Sequence, residues 1–176
     1  IKFQPPLPTW KSQAIDRLEM GLFNKLVLVF PHRFWDKEMD SFGSISGPEG
    51  DGDDPYPHFA IYYALNRNMY PTTKLPVLVS FISGEAARDF EAAEDKDIVA
   101  KALVVLGRIF PEQQPIPYPI ETIVTRHVDE FARGSYSYIA QHATGKDYDT
   151  MARPVNGRIF WAGEATCREY PATVHG

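Results

Sequence analysis

Residues 158–176, RIFWAGEATCREYPATVHG, hold the residue types of a cofactor cradle. The hydrophobic run 158–162 reads as a short buried strand. Gly163 and Glu164 follow at its end, then a loop, then the first turn of a helix near Thr173 and Val174. Backbone N–H groups and the positive end of a helix dipole would face any anionic group placed there. A carboxylate just after the strand can accept hydrogen bonds from sugar-like hydroxyls. Gly163 lets the backbone approach a ligand closely. The same spacing also describes an ordinary strand–loop–helix connection with Glu164 solvated, and on the residues alone that plainer reading is the more economical.

Other chemistries find less support. Gly43-Ser44-Ile45-Ser46-Gly47 has the outline of a nucleophile elbow, but its centre is Ile45 rather than serine. Gly47, Gly50 and Gly52 do not form a G-x-G-x-x-G, and their loop is too acidic to cradle a phosphate. The five histidines show no metal-ligand pairing. The single cysteine, Cys167, excludes an internal disulfide framework and a cysteine-based zinc site. It suits a reducing compartment without proving one.

The elements that would position these residues can be read from periodicity. Thr9 is a fair N-cap for a helix through Trp10, Ala14, Ile15 and Leu18, ending at Gly21. Residues 24–30 (NKLVLVF) read as a buried strand closed by Pro31. A short strand at 41–46 and an acidic loop at 47–57 follow. Strands at 58–65 and 76–83 come next, then helices at 85–93 and from Asp95 to about Phe110. In the second helix Ile98, Val99, Ala102, Leu103, Leu106 and Phe110 recur at helical spacing. Pro111 stops it, and Pro115, Pro117 and Pro119 mark an extended connector. Strands are expected at 121–126 and 135–140. The pattern predicts a mixed α/β (α+β) architecture.

At 176 residues the chain reads as one domain or a little more and can bury roughly 70% of its unfolded surface. It is 44% hydrophobic and 23% charged, which excludes a disordered or fibrous chain. Its net charge of -5 disfavours non-specific nucleic-acid binding. No apolar run approaches the ~20 residues that span a bilayer, and no signal peptide is evident. The chain starts at Ile1 without an initiator methionine and stops at Gly176 where a helix is expected to open. It therefore reads as a fragment of a longer protein, with a chain trimmed of its tails as the alternative.

WAGEATCREYPATVHG closely resembles the C-terminal flavin motif of FAD-dependent amine oxidases, and most of all that of the lysine-specific histone demethylase 1 subgroup. The resemblance covers nearly the whole chain. MGLFNKLVLVF, followed by Phe34-Trp35-Asp36, is similar to the subgroup's lysine-bearing strand. SFISGEAARDFE is similar to its central strand and helix, and FARGSYSYIA and GKDYDTMARP to its approach to the flavin.

The resemblance implies part of a two-domain flavin amine oxidase fold. Residues 1–120 would belong to the substrate-binding part, and residues 121–176 to the C-terminal FAD-binding segment. It implies that Lys25 holds a water near the flavin, that Glu164 binds ribityl or ribose hydroxyls, and that Thr173 and Val174 bring backbone N–H groups to the pyrimidine edge. A helix N-terminus there would stabilise the reduced flavin. Gly163 would allow close approach, and Tyr136 would pack beside the substrate amine. Ser135, where monoamine oxidases place a flavin-linking cysteine, implies non-covalent FAD. Thr173, where a second tyrosine often stands, implies a wider slot suited to a methylated lysine.

The implied activity is oxidation of a C–N bond with FAD and molecular oxygen, giving an imine, then an aldehyde, and hydrogen peroxide. The implied partners are a methylated-lysine histone tail, or a polyamine, and a chromatin complex reached through other regions. The location would be nuclear, with no membrane. A non-catalytic protein-binding module of the same fold is the remaining alternative. It is favoured only by His127 where the family usually has tryptophan, and by the shortened segment before Phe131. The glycine-fingerprint half of an FAD site is absent from the sequence.

Overall fold

A computed structural model describes residues 1–44, 59–65 and 75–176. The acidic loop at 47–57, the centre of the elbow-like Gly43–Gly47 stretch and the ends of the strands expected at 41–46 and 58–65 lie outside the described residues. The fold is mixed α/β with two sheets and four α-helices among those residues. The chain divides into two compact units, one of residues 23–128 and one of residues 1–22 with 129–176.

The 23–128 unit is built on the apolar run predicted as a strand. Strand β2 (Phe23–Val29) buries Asn24, Leu26 and Leu28 on one face and half-buries Lys25 and Val27 on the other. It lies between β5 (Val77–Ser83) and β6 (Glu121–Val124), with Val27 opposite Val79 and Ile123. Strands β3 (Ser41–Gly43) and β4 (Ile61–Ala64) extend the sheet to the order β3-β4-β5-β2-β6, every pairing antiparallel.

Helices α2 (Gly84–Ala92) and α3 (Asp95–Ile109) carry their own apolar stripes. Ile98, Val99, Ala102 and Leu106 of α3 are all buried, each worth roughly 1–3 kcal/mol of transfer free energy according to size. Tyr62 is fully buried and donates to the Ala102 carbonyl at 3.1 Å, fastening α3 to the sheet. Burial pushes its phenol well above the usual range. Phe30, Phe34, Phe42 and Phe110 close the end of this core edge to face, with centroids 5.0 Å apart for Phe30–Phe34 and 4.9 Å for Phe42–Phe110.

In the other unit α1 (Thr9–Arg17) stops earlier than its apolar pattern suggests. Residues 18–21 form β1 (Leu18–Gly21) instead, paired antiparallel with β7 (Tyr136–Ile139). The ladder bonds to β7 override the local helical preference. Helix α4 (Gly145–Ala152) has no counterpart in the sequence reading. Its start is set by the Asp147 carboxylate, which accepts the Thr144 N–H at 2.8 Å. Its end is set by Lys11, fully buried, whose Nζ donates to the carbonyls of Thr150, Met151 and Arg153 at 2.7–2.8 Å. The Lys11 ammonium also lies 4.7 Å from the Trp161 ring centroid.

One expectation near the C-terminus is corrected. Residues 158–162 are not a buried strand: they make one isolated bridge, Val155 to Ile159, and Phe160 is 72% exposed. An apolar run becomes a sheet strand only where another strand offers bonds along it, and among the described residues none does. Residues 167–176 run through bends and turns up to the last residue. Ala172, just before Thr173, adopts a left-handed φ of 58°.

Candidate functional site

Glu164 stands where the extended segment turns. Gly163 precedes it at φ 123° and ψ 173°, a conformation essentially reserved for glycine. A Cβ built there would meet nothing within 4 Å, so the backbone is open to a ligand on that side. Thr166 closes the turn, its N–H and hydroxyl both donating to the Gly163 carbonyl at 2.9 and 2.8 Å.

The Glu164 carboxylate is held by three donors. The Ser137 N–H reaches Oε1 at 2.8 Å, while the Ser137 hydroxyl and the Ala172 N–H reach Oε2 at 2.8 and 2.9 Å. A carboxylate has about four lone-pair positions, so about one remains for a further donor. The half-buried Glu164 can therefore still accept from a ligand hydroxyl. The open side of Gly163 and this remaining acceptor position fit a sugar-bearing cofactor.

Ser137 is 4% exposed and lies 3.2 Å from the phenol of Tyr148, itself 1% exposed. The serine's only proton goes to a carboxylate that cannot donate, so Tyr148 is the donor to Ser137. Sequence reasoning passed over Ser137, Tyr148 and Ala172. Serine and tyrosine are common in strands and helices, and only the pairing of β7 and the placement of α4 give these two a task.

The other expected residues of this unit surround the turn. Ser135 donates its N–H to the Gly21 carbonyl at 2.7 Å. Before it, Gly134 has φ 137°, and a Cβ there would lie 2.9 Å from that of Met20. Tyr136 is half-buried and pairs with Gly21 across the ladder. The Thr173 hydroxyl donates to the Tyr170 carbonyl at 2.8 Å and accepts the Gly176 N–H at 3.1 Å, the bond an N-cap makes three residues on. The Val174 side chain is fully exposed. Cys167 is a half-buried free thiol. Arg168 binds Asp149 at 3.1 Å and packs so tightly on Gly145 that a Cβ there would sit 2.8 Å from Nε. This contact pins the 164–176 segment to α4. Phe131 is 88% exposed, beside the Asp129 carboxylate that accepts the Phe131 and Ala132 N–H groups.

Lys25 belongs to the 23–128 unit. It is half-buried, not sunk in the strand as its neighbours suggested. Its face of the sheet carries Val27 and, across the ladder, Phe81, with the Phe23 ring 5.7 Å from the ammonium. Its backbone is fixed to the end of β6: the Lys25 N–H donates to the Thr125 hydroxyl at 2.8 Å, and the Thr125 N–H to the Lys25 carbonyl at 3.0 Å.

On the opposite face Glu91, which sequence reasoning did not single out, accepts both the Asn24 side-chain amide and the His127 N–H at 2.8 Å. Arg126 donates to the Ala93 carbonyl and pairs with Asp95, each at 2.7 Å. These bonds register β2, the end of β6 and the end of α2 against one another. Among the described residues no group of three histidine, cysteine or acidic side chains is placed to hold a metal, and no helix is long and apolar enough to cross a membrane.

The family described as flavin containing amine oxidoreductase matches residues 1–176. Histone demethylase-like protein A of Aspergillus fumigatus is 46% identical over 180 residues, covering all of this chain and 16% of that protein. Lysine-specific histone demethylase 1 homolog 1 of Oryza sativa subsp. japonica is 42% identical, covering all of this chain and 20% of the relative. A protein of Drosophila melanogaster named possible lysine-specific histone demethylase 1 is 40% identical over the whole chain, again 20% of its length. The chain thus spans about a fifth of the relatives it matches. Among solved structures, wild-type putrescine oxidase with bound putrescine matches all of this chain and 36% of its own, with a TM-score of 0.75 and 20% identity. That likeness concerns the fold.

Proposed function

Because this chain belongs to the flavin-containing amine oxidoreductases, we propose that it serves as the C-terminal part of an FAD-dependent amine oxidase acting on methylated lysine. The cofactor of the family is a flavin, in agreement with the FAD expected from the sequence. The carrying observation for the substrate is the 40–46% identity, along the whole chain, to relatives named histone demethylases. The likeness to putrescine oxidase, at 20% identity, speaks only for the shared architecture.

In this reading Glu164 takes a ribityl or ribose hydroxyl on its remaining acceptor position, and Gly163 admits the cofactor on its open side. Thr173 and Val174 offer backbone N–H groups to the pyrimidine edge, while Ser135 leaves the flavin unlinked. When bound, FAD would supply the two-electron oxidation that removes hydride from the C–H bond beside the amine nitrogen and leaves a C=N bond, with oxygen as the final acceptor and hydrogen peroxide as its product. Tyr136 packs against the amine and excludes water. A dry aromatic wall lowers the amine's pKa and favours the neutral form that reacts. Lys25 orients a water through its ammonium protons. Water then adds to the imine carbon, releasing the demethylated amine and formaldehyde. Thr173, in place of a second aromatic ring, leaves room for a peptide-borne methylammonium.

The substrate-binding role of residues 1–120 and the FAD-binding role of residues 121–176, a nuclear location and a chromatin complex all belong to this proposal. So does weak FAD binding without turnover by the 176-residue chain alone. The test offers a dimethyl-lysine histone-tail peptide and spermine separately to the chain in its full-length context. Peroxide with formaldehyde from the peptide alone is expected. Peroxide from spermine alone would move the protein to the polyamine oxidases, and a colourless, silent protein would favour the non-catalytic module.

A further inference from the structure

Ser137 grips both oxygens of Glu164 at once, through its N–H on Oε1 and its hydroxyl on Oε2, each at 2.8 Å. With both points set, the plane of the carboxylate and the direction of its remaining lone pair are set too. Behind it, the buried Tyr148 phenol donates to Ser137 at 3.2 Å, so the three groups form one polarised series ending on a charge. Ser137 also follows Tyr136 directly on β7, and strand alternation sends the two side chains to opposite faces. Any shift of Ser137 is therefore a shift of Tyr136.

We propose that Ser137 is a positioning residue that pre-orients Glu164 for the cofactor and couples cofactor binding to the tyrosine of the amine site. This rests on the reading of Glu164 as a cofactor ligand. Tyr148 acts one step behind, holding the serine hydroxyl in the rotamer that faces the carboxylate. Loss of the serine hydroxyl removes one charge-assisted bond and leaves Glu164 held only by the backbone N–H groups of Ser137 and Ala172, with a looser grip about its terminal torsion. Such bonds are strong in a half-buried site.

The test measures FAD affinity of the full-length apoprotein by quenching of flavin fluorescence, alongside the apoprotein's melting temperature. Ser137→Ala is expected to weaken FAD about tenfold or more while the apoprotein melts within about 2 °C of wild type. Ser137→Thr, which keeps the hydroxyl, is expected to restore affinity to within about threefold. Tyr148→Phe is expected to weaken FAD by a smaller factor, about two- to fivefold. In the reduced-affinity variants, once saturated with FAD, KM for the amine is expected to rise while that of Ser137→Thr does not.

Unchanged FAD affinity in Ser137→Ala, with Glu164→Gln strongly weakened, would overturn this proposal and leave the role of Glu164 intact. Unchanged affinity in Glu164→Gln would instead overturn the cofactor reading on which it rests. Should Ser137→Ala fail to fold, Tyr148→Phe decides: affinity equal to wild type there would overturn the proposal.

Discussion

Lys11→Met makes the sharpest test of how the cofactor turn is supported. The substitution keeps an unbranched apolar stem, one atom shorter, but removes all three ammonium donors. Those donors satisfy the carbonyls of Thr150, Met151 and Arg153 at the end of α4, where a helix otherwise leaves its last carbonyls unpaired. Each stranded acceptor costs about 1–3 kcal/mol if it stays dry. Arg153 is exposed, so water can reach its carbonyl and the sum falls below the maximum. Burial, followed by the nearby Arg153 charge, also holds the Lys11 pKa below its usual value, and methionine escapes that penalty. The balance is a loss of about 3 kcal/mol, or about 6–12 °C in melting temperature if the 176-residue chain melts as a whole. Urea unfolding followed by near-ultraviolet dichroism of Trp10 and Trp161 reads it. A loss under about 1 kcal/mol would show that water replaces the ammonium at no great cost, and would refute Lys11 as the staple of α4.

Three other outcomes are expected. Asp147 has its carboxyl held below the usual range, chiefly by the hydrogen bond from Arg17. The unfolded chain therefore binds more protons, so the stabilisation is complete above the unfolded value of 3.8 and is lost as pH falls below it. Asp147→Asn is expected to flatten this acid limb in a pH series of urea midpoints, and an unaltered limb would contradict the assignment. Gly163→Ala is expected to cost about 1–3 kcal/mol from backbone strain alone, because space for the methyl is open. Equal stability by thermal melting would remove the need for glycine there. Glu91→Leu strands the Asn24 amide and the His127 N–H, for an expected loss of about 2–3 kcal/mol. Glu91→Gln retains an acceptor and is expected to lose under about 1 kcal/mol. Hydrogen exchange at the His127 amide reads the difference, and equal exchange in both variants would count against the clamp.

The strands and helices of the 23–128 unit were legible because their signals are local. NKLVLVF has the composition of a sheet core, and the stripe on α3 repeats at helical spacing over fifteen residues. What was misread depends on distant partners. β1 continues the pattern of α1, but β7, more than a hundred residues later, draws it into a ladder. Helix α4 is bounded by Lys11 and Arg17, which lie 130–142 residues away in sequence. Residues 158–162 have the apolarity of a strand but, among the described residues, no strand beside them. In the candidate site, Gly163 and Glu164 stood out by resemblance and by chemistry. Ser137 did not, since nothing in the local sequence tells a serine that grips a carboxylate from one that fills a strand.

In the proposed function this chain completes a flavin site serving methylated lysine. Anaerobic addition of a dimethyl-lysine histone-tail peptide to the full-length protein tests it most directly. Rapid bleaching of the yellow flavin band is predicted with the peptide and not with spermine. Bleaching by spermine with no response to the peptide would contradict the claim.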